Sequence, residues 1–105
     1  MRGVAILGST GSIGLSTLDV VARHPERYRV VALSAHRDVQ GMLTQCRRFR
    51  PGLAAMADPA AATALAQAVA AEGLGVEVMA GAAGLEAVAT HPDATDLMAA
   101  IVGAA

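Results

Sequence analysis

Lysine, asparagine and tryptophan are absent from the 105-residue sequence, and only one tyrosine and one phenylalanine are present. All eight cationic residues are arginine, so no lysine amine can act as a Schiff-base former, a general base or a carbonyl polariser. Arginines and acidic residues nearly cancel, leaving a net charge of −1. That balance lacks the basic footprint of a nucleic-acid binder. The single Cys46 excludes an internal disulfide and fits a reducing, cytoplasmic setting. No run reaches the ~18 apolar residues of a membrane helix, so no membrane association is expected. The Val4–Leu7 run near the start is too short for the core of a signal peptide.

What the chain does have is small apolar residues. The hydrophobic fraction is 54% and the charged fraction 16%, a composition that folds rather than staying disordered. Twenty-five residues are alanine, so helices can lie close to a sheet.

Short apolar runs alternate with segments of helical periodicity. Val4–Leu7 ends in Gly8 and reads as a strand buried on both faces. Ile13, Thr17, Leu18, Val20 and Val21 then recur at helical spacing until Pro25. Tyr28–Ser34 is a second strand, and Val39–Phe49 a helix with Val39, Met42, Leu43, Cys46 and Phe49 on one face. Leu53–Met56 is a third strand. Asp58-Pro59 marks a helix start that runs to about Glu72 and Gly73. Val76–Met79, Ala82–Thr90 and Leu97–Val102 complete the series as strand, helix and strand. This alternation predicts an α/β fold: a Rossmann-like, doubly wound parallel sheet in three layers. The expected strand order is 3-2-1-4-5, with Val4–Leu7 central. Because the last strand stops where ligand loops normally begin, the sheet is expected to be truncated at its C-terminal end.

Chemistry concentrates between the first strand and the first helix, at Gly8-Ser9-Thr10-Gly11-Ser12-Ile13-Gly14. Glycines there let the backbone turn tightly and approach a pyrophosphate, while the helix N-terminus presents N–H groups to the anion. Gly14 would bring the helix close to the strand, and Ser9, Thr10 and Ser12 would add hydroxyl donors. The spacing is GxxGxxG and lacks the Lys-Ser/Thr ending of a P-loop. A ligand-free tight turn is the competing reading.

The end of the second strand, Ser34-Ala35-His36-Arg37-Asp38, lacks the carboxylate of a typical NAD ribose site. Arg37 instead offers a fork of donors suited to a 2′-phosphate, which favours NADP(H). Asp38 stands where a helix cap is needed, and capping and cofactor contact both remain open for it.

The string from Ile6 to Val21, including Gly8-Ser9-Thr10-Gly11-Ser12-Ile13-Gly14 and Thr17-Leu18-Asp19-Val20-Val21, resembles the opening of 1-deoxy-D-xylulose 5-phosphate reductoisomerases. Arg29–Leu33, Gln45-Cys46 and Met98–Ala105 fit the same family, and the resemblance runs end to end. It implies an NADPH-dependent oxidoreductase of isoprenoid biosynthesis, with 1-deoxy-D-xylulose 5-phosphate rearranged and reduced to 2-C-methyl-D-erythritol 4-phosphate. It further implies a divalent metal, Mg²⁺ or Mn²⁺, and a full-length homodimer. Pyrophosphate contacts would fall on Thr10, Gly11, Ser12 and Ile13, and 2′-phosphate contacts on His36, Arg37 and Asp38. At that stretch many members have Gly, then Lys or Arg, then Asn, so only Arg37 agrees. Ala100, Ile101 and Val102 would approach the nicotinamide half.

On this reading residues 1–105 are an incomplete N-terminal NADPH-binding domain. No catalytic residue and no metal ligand is assigned within it: the carboxylates form no cluster, and His24, His36 and His91 lack metal-ligand spacing. The substrate and metal sites would lie further along a longer chain. Two other readings stand beside it, another GxxGxxG NADP-dependent reductase and a non-catalytic dinucleotide-sensing module.

Overall fold

In the computed structural model, residues 2–99 are described. Strand β1 (Arg2–Leu7) is followed by helix α1 (Ser12–Arg23), β2 (Tyr28–Ala35), α2 (Val39–Phe49), β3 (Leu53–Met56), α3 (Pro59–Ala71), β4 (Glu77–Ala80), α4 (Gly81–Ala89) and β5 (Asp96–Ala99). Every strand pairing is parallel. The expected α/β doubly wound architecture is therefore present.

The strand order differs from expectation: it is β4-β3-β2-β1-β5, not 3-2-1-4-5. β1 is interior as expected, but its second neighbour is β5, and β4 lies outside β3. The physical reason is visible in burial. Leu53–Met56 is buried along its whole length, as an interior strand must be. Glu77–Ala80 begins and ends exposed, which suits an edge. Three successive right-handed crossovers in one direction place α1, α2 and α3 on the same face of the sheet. The return from β4 to β5 runs the other way and lays α4 across the opposite face.

Two cores result. On the first face, Val4, Ile6, Leu33 and Met56 pack under Leu18 and Val21 of α1, Met42 and Cys46 of α2, and Leu65 and Val69 of α3. On the second, the strands offer mostly small residues, Ala5, Ala32 and Ala55, to Val88 and Leu85 of α4. Gly84 makes that approach possible: a β-carbon there would stand 3.0 Å from Met79 Cβ and 3.2 Å from Ala55 Cβ. β2 carries one extra residue opposite β1, since Val4 pairs with Val30 and Ala5 with Ala32. The resulting bulge turns both Val31 and Ala32 to the α4 side.

Helix α1 buries Gly14, Leu18 and Val21, whereas Ile13 and Val20 of the expected apolar face are 43% and 52% exposed. They lie on a stripe beside the buried one. Ala100, Ile101 and Val102, expected near the nicotinamide half, lie outside the described residues. No helix of the described residues is long and apolar enough to cross a membrane.

Candidate dinucleotide site

Parallel strands place their carboxyl ends together, and open α/β sheets bind ligands there. Here that end gathers the loop after β1, the His36–Asp38 segment after β2 and Ala57 after β3.

The loop after β1 is built by backbone constraint. Gly8 has φ +73°, a left-handed conformation that glycine adopts without steric cost. Its carbonyl accepts from Gly11 N–H at 3.2 Å. Gly14 sits directly on the turn: a β-carbon there would stand 2.6 Å from Ser9 Cα. Gly11 is different. It is exposed, its φ is −77°, and an added β-carbon would meet only Gly8 O at 3.5 Å. The chain's own packing does not require glycine at 11, so the space before it is open. Gly11 is also the N-cap of α1, where no side chain caps the helix and no acidic residue occupies the first turn. Its leading N–H groups and the positive end of the helix dipole therefore face outward.

Thr10 is half-buried, and Ser12 and Ile13 are exposed at the same mouth. Ser9, expected as a hydroxyl donor to ligand, is instead fully buried. Its hydroxyl donates to Gln45 Oε1 at 2.7 Å, and Gln45 Nε2 donates back to Ser9 O at 2.8 Å. Ser9 N–H donates to Ser34 O at 2.8 Å. Ser34, at the end of β2, is also buried, and its Oγ accepts from Gly8 N–H at 3.4 Å. Both serines hold the loop rather than line its mouth.

Beyond β2, His36, Arg37 and Asp38 are all exposed. The His36 carbonyl accepts from Asp58 N–H at 2.9 Å, tying this turn to the start of α3. Asp38 caps α2: its Oδ1 accepts from Gly41 N–H at 2.9 Å. Between the two loops lies an apolar cleft of ≈ 260 Å³, lined by Gly8, Ser34, Ala35, His36, Ala57 and Leu85. Its size and walls suit a flat heterocycle. Leu85 reaches it only because α4 crosses back over the sheet, a consequence of the strand order. A larger groove of ≈ 470 Å³, lined by Val21, Pro25, Tyr28, Arg29, Arg48 and Phe49 among others, lies at the amino end of β2. It is remote from the glycine loop.

Sequence reasoning missed Gln45, Ala57 and Leu85 as parts of the site. For Gln45 a signal existed, an amide within the otherwise apolar face of Met42, Cys46 and Phe49. For Leu85 there was none, because its place depends on the sheet order. Cys46 is buried, and desolvation pushes its thiol up to about 11, so it packs rather than reacts. Among the described residues no three His, Cys, Asp or Glu side chains come together as a metal site.

The family model for 1-deoxy-D-xylulose 5-phosphate reductoisomerase matches residues 4–105. The chain belongs to this family. Proteins of that name from Nitrosospira multiformis and Methylococcus capsulatus are each 57% identical to it across 100% of the chain. The chain covers 27% of either protein, so it spans about a quarter of the length of the curated relatives it matches. A crystal structure of DOX-P reductoisomerase with NADPH, fosmidomycin and magnesium superposes with a TM-score of 0.91 at 36% identity, over 96% of this chain and 24% of that one. The reductoisomerase of Zymomonas mobilis in complex with NADPH gives 0.80 at 42% identity, over 86% of this chain and 23% of that one. Membership in the reductoisomerase family disfavours the unrelated reductase and the sensing module as alternatives.

Proposed function

We propose that residues 1–105 are the N-terminal NADPH-binding part of an enzyme that rearranges and reduces 1-deoxy-D-xylulose 5-phosphate to 2-C-methyl-D-erythritol 4-phosphate. The observation that carries this reading is the open space at Gly11 in front of the N-terminus of α1, which no side chain caps. A pyrophosphate fits there: a β-carbon at 11 would project into the space it needs, and the first N–H groups of α1 supply donors without a competing carboxylate. Thr10, Gly11, Ser12 and Ile13 form that cradle. The adenine would lie in the apolar cleft beside Leu85 and Ala57. The 2′-phosphate would meet His36 and Arg37, with Asp38 fixing the start of α2 behind them. NADPH bound in relatives supports the reading.

When bound, NADPH supplies the hydride of the reductive half-reaction. This chain's residues bind and orient it, and they assign no group to proton transfer. Mg²⁺ or Mn²⁺ belongs to residues outside this chain, as does the sugar phosphate. The full-length enzyme is a cytoplasmic homodimer on this reading. The test is dinucleotide binding by the full-length protein, followed by Gly11→Val. Micromolar-range NADPH binding that the variant loses while remaining folded is expected. Undiminished NADPH affinity in a folded Gly11→Val protein would refute the cradle.

A further inference from the structure

Gln45 is one of the few buried polar side chains of the described residues, and it spends both ends of its amide on one residue. Its Nε2 donates to Ser9 O at 2.8 Å and its Oε1 accepts from Ser9 Oγ at 2.7 Å. The orientation is fixed by chemistry: a carbonyl oxygen only accepts, so the amide NH₂ must face Ser9 O. The amide oxygen then receives the hydroxyl proton. Burying an amide carries a desolvation cost that these two bonds offset. An apolar side chain would suit the neighbouring Met42 and Cys46 as well, so stability alone does not call for glutamine here.

What the pair achieves is placement. Ser9 follows the left-handed Gly8 and precedes the cradle residues Thr10–Ile13. Its N–H is held by β2 through Ser34 O, and its carbonyl and hydroxyl by α2 through Gln45. The loop is thus pinned from two elements, one of which begins at Asp38 beside the expected 2′-phosphate contacts.

We propose that Gln45 is a positioning residue for the dinucleotide: by clamping Ser9 it holds the backbone N–H groups of the phosphate cradle in their binding geometry. This rests on the NADPH reading above. The clamp acts on the pyrophosphate, which NADPH and NADH share, so its loss should weaken both to the same extent. A merely structural role would lower stability and leave the affinity of the folded protein unchanged.

The test uses the full-length protein and Gln45→Leu, with Kd measured for NADPH and NADH alongside thermal unfolding. About tenfold weaker binding of each, with their ratio preserved, is expected. Should Gln45→Leu fail to fold, Ser9→Ala, which keeps the bond from Gln45 Nε2 to the Ser9 carbonyl, takes its place and should show a smaller loss of the same kind. Wild-type affinity in a folded variant overturns the clamp, and so does a loss confined to NADPH. A wild-type protein that binds neither dinucleotide overturns the NADPH reading itself, and the clamp with it.

Discussion

Gly14 lies so close to Ser9 that a β-carbon on it would stand 2.6 Å from the Ser9 Cα. Gly11, three residues earlier, has no such neighbour, the nearest atom being Gly8 O at 3.5 Å. The two glycines of one motif thus answer to different demands. Gly14 is required by the packing of α1 on the turn, whereas no packing among the described residues requires Gly11, which under the proposed cradle leaves room for a pyrophosphate. Gly14→Ala should therefore destabilise the fold by about 1–3 kcal/mol, the usual cost of overpacking against backbone that cannot yield. Gly11→Ala should cost well under about 1 kcal/mol, because the conformation is accessible to any residue and only the helix cap is weakened. Its effect should appear in NADPH affinity instead. Denaturant unfolding and cofactor titration of both variants check the separation, and the reverse pattern would sink it.

Asp38 caps α2 through Gly41 N–H, and a β-carbon on Gly41 would stand 2.9 Å from the Asp38 carboxyl carbon. Asp38→Asn preserves the cap, since asparagine serves as well at that position, whereas Asp38→Ala should cost about 1 kcal/mol. The asparagine variant also removes a negative charge beside the expected 2′-phosphate. NADPH should therefore bind it several-fold more tightly while NADH is unaffected. Weaker NADPH binding by a fully stable Asp38→Asn protein would show that the carboxylate contacts the cofactor directly.

Much of this architecture was legible because it is local. The glycine spacing after Val4–Leu7, the Asp58-Pro59 helix start and the apolar face of α2 each fix an element from neighbours in sequence. Strand order is not local. It turned on whether Leu53–Met56 or Glu77–Ala80 is covered on both faces, and four-residue apolar runs look alike until their neighbours are known. Leu85 was missed for the same reason, since only a helix that recrosses the sheet delivers it to the cleft. Ser9 was misjudged because hydroxyls in a phosphate-loop motif read as donors. Nothing in that motif reveals the amide of Gln45, 36 residues away, that claims one of them.

Cys46 is fully buried on α2, and burial raises its thiol from the ordinary 9.0 to about 11. A thiol whose folded value is raised contributes stability that is fully present below the unfolded value. That contribution is lost as pH climbs through the folded value. Stability should thus decline between about 9 and about 11 on this account, and Cys46→Ala should flatten that part of the alkaline limb. At mildly alkaline pH the native protein should resist alkylation that the unfolded chain undergoes readily. Rapid labelling of the native state would show that Cys46 is reachable and that the packing described here is wrong.

Arg37 stands exposed just past β2 and joins no ion pair among the described residues. Its guanidinium is therefore not already neutralised by a carboxylate of the described residues. A planar fork of donors matches the oxygens of a phosphate, and a hydrogen bond between charged groups is worth more than a neutral one. NADPH and NADH differ only by the 2′-phosphate, so an arginine bound to it must separate them. Arg37→Ala in the full-length protein should weaken NADPH roughly ten- to hundredfold and leave NADH nearly unchanged. Arg37→Lys keeps the charge but not the fork and should fall between the two. The dependence of NADPH affinity on ionic strength should also shrink in the alanine variant, because a screened contact has been removed. Equal weakening of both cofactors, or no change in either, would make Arg37 an ordinary surface charge and return the choice between NADP and NAD to His36 and the backbone of its turn.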